Sequence, residues 1–406
     1  MASIKLKSNV DRWLFFISLY PVPTITFVIN CAILAYATVD FADGFSSDKS
    51  LYVIILLFMV NILWQLISTI SEARSITKDE GYYFPSIKSE TTSYNIDDKC
   101  RLRYPEHIDH NGTRVIFNSQ INAMLRDAST PINTRESAHH HKMVKEYIDR
   151  NKSILLNFFK TKARAMRDGA FFNEKKLCLA TEFKSNRDKT AYTVGLSRGR
   201  YFNTYITNEI YTLRLTHQSG MDLYPTLNVA NYPIKELNES CFENHIGIST
   251  IVLTADNMII LMQHNNQVAV SADMLQSTGS GSCIYSDWNK KTDRDLRDSI
   301  IRAAHRELAE ETGIGTQFDL DTTVIGYYRN LKRGGKPEFC CLTRIDRDSD
   351  EIIDAIRVSS DELQDNRWIV RKVDTPADIT TLITESSPQI STSLYINLLF
   401  LQNYLT

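Results

Sequence analysis

The stretch from His305 to Ile314, HRELAEETGI, most constrains what this chain can fold into. Glu307, Glu310 and Glu311 have the spacing i, i+3, i+4, which places their carboxylates on one face of a helix. Like charges at this spacing repel each other by about 0.2–0.5 kcal/mol. Mg²⁺ or Mn²⁺, which bind carboxylate oxygens, would remove that repulsion. A solvated, charge-rich helix face explains the spacing equally well, so the residues alone leave both interpretations open.

The sequence around these glutamates resembles the second half of the Nudix box of diphosphate hydrolases. The matching residues are Arg306, Glu307, Leu308, Glu310, Glu311, Gly313 and Ile314. The first half of the box departs from the family pattern, because Thr292 occupies its glycine position and Asp298 its first glutamate position. Gly279 and Gly281, which precede this region, are candidates to replace the missing glycine of the box. The resemblance implies a Nudix-type mixed-sheet sandwich of the α/β (α+β) class in the carboxy-terminal domain.

In that family the box glutamates bind the divalent ions that clamp a diphosphate and activate water. Carried over to this chain, Glu307, Glu310 and Glu311 would be catalytic metal ligands for Mg²⁺ or Mn²⁺. Arg306 would orient a glutamate through an ion pair. The general base would be Glu307 or a carboxylate outside the box, for which Glu338 is a candidate. The incomplete first half leaves open whether the domain is an enzyme or only binds its ligand.

Two runs near the amino terminus, Trp13 to Val39 and Leu51 to Ile70, contain no charged residue. Each has the length of about 20 residues that crossing a bilayer requires. Basic residues flank the outer ends of the pair, whereas the connection from Asp40 to Ser50 holds three aspartates and one lysine. This asymmetry predicts a multi-pass membrane protein with both termini in the cytoplasm.

Two alternatives to the membrane hairpin stay open. Ala35-Tyr36-Ala37 resembles a signal-peptidase site, which would make the first run a cleaved signal peptide. The two runs would otherwise form a buried helical hairpin in a soluble protein. The first run is longer than a typical signal core, which favours the membrane interpretation.

The sequence therefore predicts three parts. They are a transmembrane hairpin at residues 1–75, a cytoplasmic α+β middle region at 76–236 and the Nudix-like domain at 237–406. In the middle region, periodicity predicts a helix over Lys142 to Arg167, and composition predicts strands over Leu177 to Phe183, Ala191 to Leu196 and Tyr201 to Leu215. His139 to His141 are predicted to lie in a loop.

Overall charge and cysteine content give information on nucleic-acid partners and on the redox compartment. The chain has 46 basic and 48 acidic residues, so overall charge does not favour a nucleic-acid partner. Its seven cysteines show no metal-binding spacing and indicate buried thiols in a reducing compartment. Arg198 and Arg200 flank Gly199 in a predicted turn and are candidate ligand-binding residues for a phosphate. An exposed basic hairpin tip explains the same pattern.

The predicted order of a two-helix hairpin followed by a Nudix-like domain is similar to that of the membrane-bound Nudix-type effectors of CBASS antiphage systems. The resemblance implies an effector that senses a cyclic oligonucleotide through its cytoplasmic region. It would then disrupt the inner membrane as a homo-oligomer and cause the death of the infected cell. The alternative is a membrane-tethered, Mg²⁺-dependent pyrophosphohydrolase of a nucleoside diphosphate derivative, with the hairpin only as an anchor.

Overall fold

The computed structural model covers only part of the chain. It describes residues 59–63, 82–83, 94–152, 155, 159, 172–212, 216–217, 232–263, 274–293, 295–359, 367–386 and 389–406.

The described residues form β-strands, α-helices and short helical turns. The strands are β1 (Tyr82–Tyr83), β2 (Glu106–His110), β3 (Thr113–Phe117), β4 (Ile132–Glu136), β5 (Lys175–Leu179), β6 (Lys184–Ser185), β7 (Tyr192–Arg200), β8 (Thr216–His217), β9 (Gly247–Thr254), β10 (Met258–Gln263), β11 (Leu275–Gln276), β12 (Gly279–Ser282), β13 (Asp321–Asn330), β14 (Lys336–Ile345) and β15 (Arg367–Lys372). The α-helices are α1 (Asp98–Arg103), α2 (Ser119–Arg126), α3 (Ala138–Arg150), α4 (Tyr201–Thr204), α5 (Leu296–Thr312), α6 (Ser349–Ser359), α7 (Pro376–Ser386) and α8 (Thr392–Leu405).

The chain divides into two compact units. The first comprises Met1–Tyr83, Ile148–Asn173 and Thr216–Met221, and the second comprises Phe84–Tyr147, Glu174–Leu215 and Asp222–Thr406. In the first unit, β1 pairs with β8 in antiparallel orientation. Residues 59–63 of that unit are helical.

The two predicted membrane spans fall almost wholly on residues that are not described. All of residues 13–39, and all of residues 51–70 except 59–63, lie outside the described ranges. Within those ranges, none of the helices has both the length and the apolar character needed to cross a bilayer.

The second unit contains two mixed sheets. The larger has nine described strands, ordered β11-β10-β9-β14-β13-β3-β2, with β12 added to β9 and β15 to β10. Its central pair, β9 and β14, is parallel, whereas its other pairs are antiparallel. The smaller sheet has the order β4-β7-β5, with β6 paired to β7. The prediction of a mixed α/β architecture is confirmed, and the larger sheet takes strands from both sides of position 236.

Helices cover both faces of the larger sheet. Ile251 of β9 belongs to an apolar cluster with Leu398 of α8. The next residue along the strand, Val252, belongs to a second cluster with Leu308 of α5 and Ile352 of α6. Successive side chains of a strand face opposite sides, so β9 is buried on both faces. The glutamate helix therefore has the sheet as a rigid support.

Two sequence predictions in the middle region are wrong. Tyr201 to Leu215 is not a strand, because α4 is followed by a π-helical turn over Tyr205–Glu209. Phe202, Ile206 and Ile210 are spaced by four residues and almost fully buried, so helical burial outweighs the strand propensity of their neighbours. His139 to His141 lie in α3 rather than in a loop, and His140 is buried with its ring nitrogens bonded to Ser197 Oγ and the Phe242 carbonyl.

A fully buried ion pair connects β13 to neighbouring loops. Arg329 Nη1 lies 3.6 Å from Glu182 Oε1, and both side chains are inaccessible to solvent. Arg329 also donates to the carbonyls of Gly335 at 2.8 Å and Lys235 at 2.6 Å, and the Tyr104 hydroxyl donates to Glu182. An interior charge without its partner is costly, so this pair fixes how these segments pack.

We expect Glu182→Gln to lower the free energy of unfolding of the second unit by about 3–5 kcal/mol, because it leaves the Arg329 guanidinium buried without a counter-charge. Chemical denaturation of the full-length protein, followed by near-ultraviolet circular dichroism, measures this loss. The double variant Glu182→Gln/Arg329→Met is the control and should lose less than the single variant. Equal losses would contradict the role of the ion pair.

Candidate functional site

The predicted glutamate helix is present as α5 and ends where the sequence indicates. Its N-cap Asp295 accepts the backbone N–H of Arg297 at 2.8 Å. Gly313 follows the last helical residue with φ of +73°, a left-handed conformation in which a side chain would be strained. Ala304 and Leu308 are fully buried on its apolar side. This packing turns Glu307 and Glu311 toward β12.

Three arginine–aspartate pairs bind the segment before α5 to the helix. They are Arg306–Asp287 at 3.0 Å, Arg302–Asp293 at 2.8 Å and Arg297–Asp295 at 2.7 Å. Thr292, at the glycine position of the box, lies exposed in this segment. These ion pairs, rather than a tight glycine turn, fix the segment against the helix. Sequence reasoning missed these aspartates, although three aspartates just before a helix with three arginines were a usable signal.

Glu307 lies on the backbone of β12. Its Oε1 accepts the Ser282 N–H at 3.1 Å and a bond from Arg306 Nη1 at 2.9 Å. Arg306 also donates to the Ser282 carbonyl at 2.9 Å. A side chain on Gly281 would overlap the Glu307 carboxylate, so the glycine allows this close approach. Burial raises the pKa of Glu307, and the adjacent Arg306 opposes that rise.

The Glu311 carboxylate contacts the same strand, β12, two residues before the contact of Glu307. Its Oε2 accepts the Ser280 N–H at 2.8 Å. Burial raises the pKa of Glu311 to about 8; the Ser280 bond opposes the shift, and the charges of Glu307 and Glu310 add to it. At neutral pH most Glu311 side chains therefore carry a proton. The two glutamates together satisfy backbone donors at the outer edge of β12.

Glu310 and Asp298 differ from these two glutamates in being exposed. The Glu310 side chain is 59% accessible and makes an i, i+4 ion pair with Arg306 at 3.1 Å. Asp298, at the first glutamate position of the box, lies in the first turn of α5, two turns or more from the other carboxylates. It does not join them at β12.

The side chains as arranged do not fit a divalent ion held by all three glutamates. Glu307 and Glu311 each direct an oxygen to a backbone N–H of β12, whereas Glu310 is exposed and paired with Arg306. Among the described residues, no group of three histidine, cysteine or acidic side chains is arranged to hold a metal. The predicted Mg²⁺ or Mn²⁺ therefore has no three-carboxylate site in this arrangement.

Arg198 and Arg200 lie in β7 rather than in a turn. Gly199 between them pairs with Lys176 of β5, and a side chain there would overlap Cys178 and Glu243. The two arginines are exposed and, two residues apart in a strand, face the same side. The guanidinium of Arg198 lies 5.8 Å from the ring centroid of Tyr285.

This contact brings two sequence candidates together. Tyr285 begins a 3₁₀ turn, Tyr285–Asp287, and Asp287 binds Arg306 of the glutamate helix. Arg198 and Glu307 therefore lie at the two ends of one continuous set of contacts. Arg200 is anchored by its backbone N–H, which donates to Glu243 at 2.6 Å. Burial raises the pKa of Glu243 to about 7, and sequence reasoning gave no sign of this carboxylate.

Glu338 is on the opposite face of the sheet from Glu307. Gly247 of β9 pairs with both Glu338 and Ser282. A side chain on Gly247 would overlap Glu338, whereas a side chain on Gly281, next to Ser282, would overlap Glu307. Adjacent residues of a strand face opposite sides, so Glu338 cannot act as a base beside the glutamate helix.

A second charged cluster occupies that opposite face. Glu338 Oε1 accepts from Lys336 at 2.6 Å and from Arg333 at 3.1 Å, and Arg333 also pairs with Glu209 of the π-helical turn. Burial and the charge of Arg333 lower the pKa of Lys336 to about 8. Each described charge of this cluster has an opposite partner, so the cluster is a closed ion-pair network.

Comparison with known proteins leaves the family undecided. No family model and no curated protein matches the chain. One similar solved structure is DR0079 from Deinococcus radiodurans, with 10% identity, 40% of this chain and 82% of that chain covered, and a TM-score of 0.25. Another is Tm1382, which its description proposes to be a Nudix hydrolase, with 10% identity, 57% and 100% covered, and a TM-score of 0.29. Structural similarity this low establishes neither the fold nor the function of this chain.

We expect the contribution of Glu311 to stability to fall as pH rises from about 4.5 to about 8 and to level off above that, because the carboxyl is easier to deprotonate in the unfolded chain, at its ordinary pKa of 4.5. Glu311→Gln keeps an acceptor for Ser280 but cannot ionise. Its stability relative to the wild type should rise by about 4 kcal/mol between pH 5 and pH 9. Denaturation series at both pH values, in a metal-chelating buffer, measure this.

The control for this experiment is Asp298→Asn, on the exposed first turn of the same helix. Its stability relative to the wild type should stay nearly constant over the same pH range. A flat difference for Glu311→Gln as well would show that Glu311 is ionised in the folded protein.

Proposed function

We propose that the second unit is the ligand-sensing part of a membrane-anchored effector of a CBASS-type antiphage system. In this proposal the unit has a Nudix-like fold and binds a cyclic oligonucleotide. Its binding surface comprises β7, the Tyr285–Asp287 turn and the β12 side of α5. The hairpin of residues 1–75 disrupts the inner membrane as a homo-oligomer, and both termini lie in the cytoplasm.

The proposal is supported chiefly by the exposed cations of β7 and β5, and secondly by the bonds that engage the glutamates beside β12. Free carboxylates repel a phosphate, and a hydrolase of this kind overcomes the repulsion with metal ions. Here one oxygen of Glu307 accepts from Arg306 and from the Ser282 N–H, and one oxygen of Glu311 accepts the Ser280 N–H. These bonds within the protein compete with the coordination of a metal ion, which favours binding over hydrolysis.

The basic face of β7 supplies the complementary charge. Arg198 and Arg200 are exposed on this face, and Lys175 of β5 is the register partner of Arg200. Guanidinium groups donate in a planar fork that matches two phosphate oxygens. A ligand with more than one phosphate fits this row of cations better than a single phosphate does.

A Mg²⁺-dependent pyrophosphohydrolase is the second candidate function. The observation that favours it is the ion pair of Arg306 with Glu307 at 2.9 Å, which the family resemblance implies for an oriented catalytic glutamate. The engaged oxygens of Glu307 and Glu311 count against it. Under this alternative, the purified protein would hydrolyse nucleoside diphosphate derivatives with Mg²⁺, and Glu307→Gln would abolish the reaction.

We expect Arg198→Ala to weaken binding of a cyclic oligonucleotide by about tenfold or more, because a charge-assisted bond to phosphate is lost. Isothermal titration of the full-length protein with a panel of cyclic di- and trinucleotides measures the change. Lys184→Ala, which removes an exposed cation of β6, is the matched control and should bind as the wild type does. Unchanged binding by Arg198→Ala, or Mg²⁺-dependent turnover that Glu307→Gln abolishes, contradicts the sensor proposal.

We expect deletion of residues 13–70 to abolish protection of cells against phage, since in this proposal the hairpin damages the membrane. Plaque counts, with a membrane-potential dye as second readout, measure protection and damage. The deleted protein should still bind the nucleotide, which separates loss of the membrane step from loss of sensing. Full protection without these residues would exclude membrane disruption as the effector step.

A further inference from the structure

The segment from Tyr285 to Lys290 carries two aromatic rings and one cation that the phosphate site alone does not require. Tyr285 is half-buried, and Trp288 is almost fully buried, with its ring edge-on to Tyr285 at 6.2 Å and 85°. Lys290 lies 5.5 Å from the centroid of Tyr285 and 5.2 Å from that of Trp288. We infer that Tyr285 is the stacking platform for a nucleobase of the ligand.

The groups around Tyr285 are held by other parts of the second unit. Trp288 Nε1 donates to Thr134 Oγ1 at 3.2 Å, and Lys290 pairs with Glu136 at 2.8 Å. Lys290 also makes a hydrogen bond with the Tyr285 side chain. The ring is therefore fixed at its hydroxyl end and at its edge before any ligand arrives. Such support is what a binding platform needs, because a ring already ordered loses little entropy on binding.

The backbone beneath the ring is also fixed. Asp287, two residues after Tyr285, accepts the Ile284 N–H at 2.8 Å and binds Arg306. This closes the turn on itself and ties it to α5. The position of the ring relative to the glutamate helix is thus set by short local bonds.

Arg198 gives the platform its second planar group. Its exposed guanidinium lies 5.8 Å from the Tyr285 centroid and comes from a strand that is remote in sequence. A guanidinium and a phenol ring are both surfaces on which bases stack, and stacking contributes about 1–3 kcal/mol per base. Arg198 can therefore contact a base with its plane or a phosphate with its N–H groups.

This inference rests on the proposed function and narrows the class of ligand. A ring beside a row of cations favours a nucleotide over inorganic polyphosphate or a phospholipid headgroup, which offer phosphates but no base. The recognition of a base also distinguishes Tyr285, whose contact would be apolar, from Arg198 and Arg200, whose contacts would be ionic. The two contributions are separable by substitution.

The test compares nucleotides with a base-free anion on the full-length protein. The probes are cyclic di-AMP, cyclic di-GMP and cyclic tri-AMP, with tripolyphosphate as the anion that lacks a base. At least one nucleotide should bind at least tenfold more tightly than tripolyphosphate. Tyr285→Leu should weaken nucleotide binding about 5- to 150-fold, the range that corresponds to one stacked base, and leave tripolyphosphate binding unchanged. Tyr285→Phe, which keeps the ring, should stay within about threefold of the wild type.

Ligand-observed NMR gives a reading that needs no substitution. In saturation-transfer difference spectra with wild-type protein, the base protons should receive more saturation than the ribose protons. Equal binding of tripolyphosphate, an unchanged affinity in Tyr285→Leu, strongest transfer to the ribose or no binding by any nucleotide would each overturn the inference. If Arg198→Ala leaves all binding unchanged, it is the proposed phosphate site that fails instead.

Discussion

The guanidinium of Arg306 holds the candidate site together. It binds both carboxylate oxygens of Asp287, donates to the Ser282 carbonyl and pairs with Glu307 and Glu310. One side chain thus joins the helix, the edge strand and the turn that carries Tyr285. A planar group with five N–H donors in a fixed geometry does this in a way that lysine cannot. The placement of the other groups of the site depends on this contact.

Much of the local structure could be predicted from the sequence, because it depends on residues that are close together in the chain. The spacing of Glu307, Glu310 and Glu311 predicted a helix, and α5 is that helix. Such a feature depends on backbone sterics and on side chains within one turn of each other.

Contacts between residues remote in sequence were not predictable in this way. The stretch after Arg200 is rich in Tyr, Thr and Ile and was predicted as a strand, but burial of Phe202, Ile206 and Ile210 makes it helical. The approach of Arg198 to Tyr285 depends on how β7 pairs with β5, which no local pattern encodes. The burial of the three glutamates was not predictable either, since the sequence does not distinguish one carboxylate of the helix from another. Their different burial separates an exposed Glu310 from a largely protonated Glu311.

The bonds from α5 to β12 have a consequence for how this chain meets other chains. A free strand edge, with its row of unpaired N–H and C=O groups, is a template on which a strand of another molecule can pair. At β12 the N–H groups of Ser280 and Ser282 are bonded to Glu311 and Glu307, and the Ser282 carbonyl is bonded to Arg306. Side chains of the unit's own helix thus occupy the positions that an incoming strand would need. The edge is closed to β-augmentation and to sheet-mediated aggregation while these three residues remain in place.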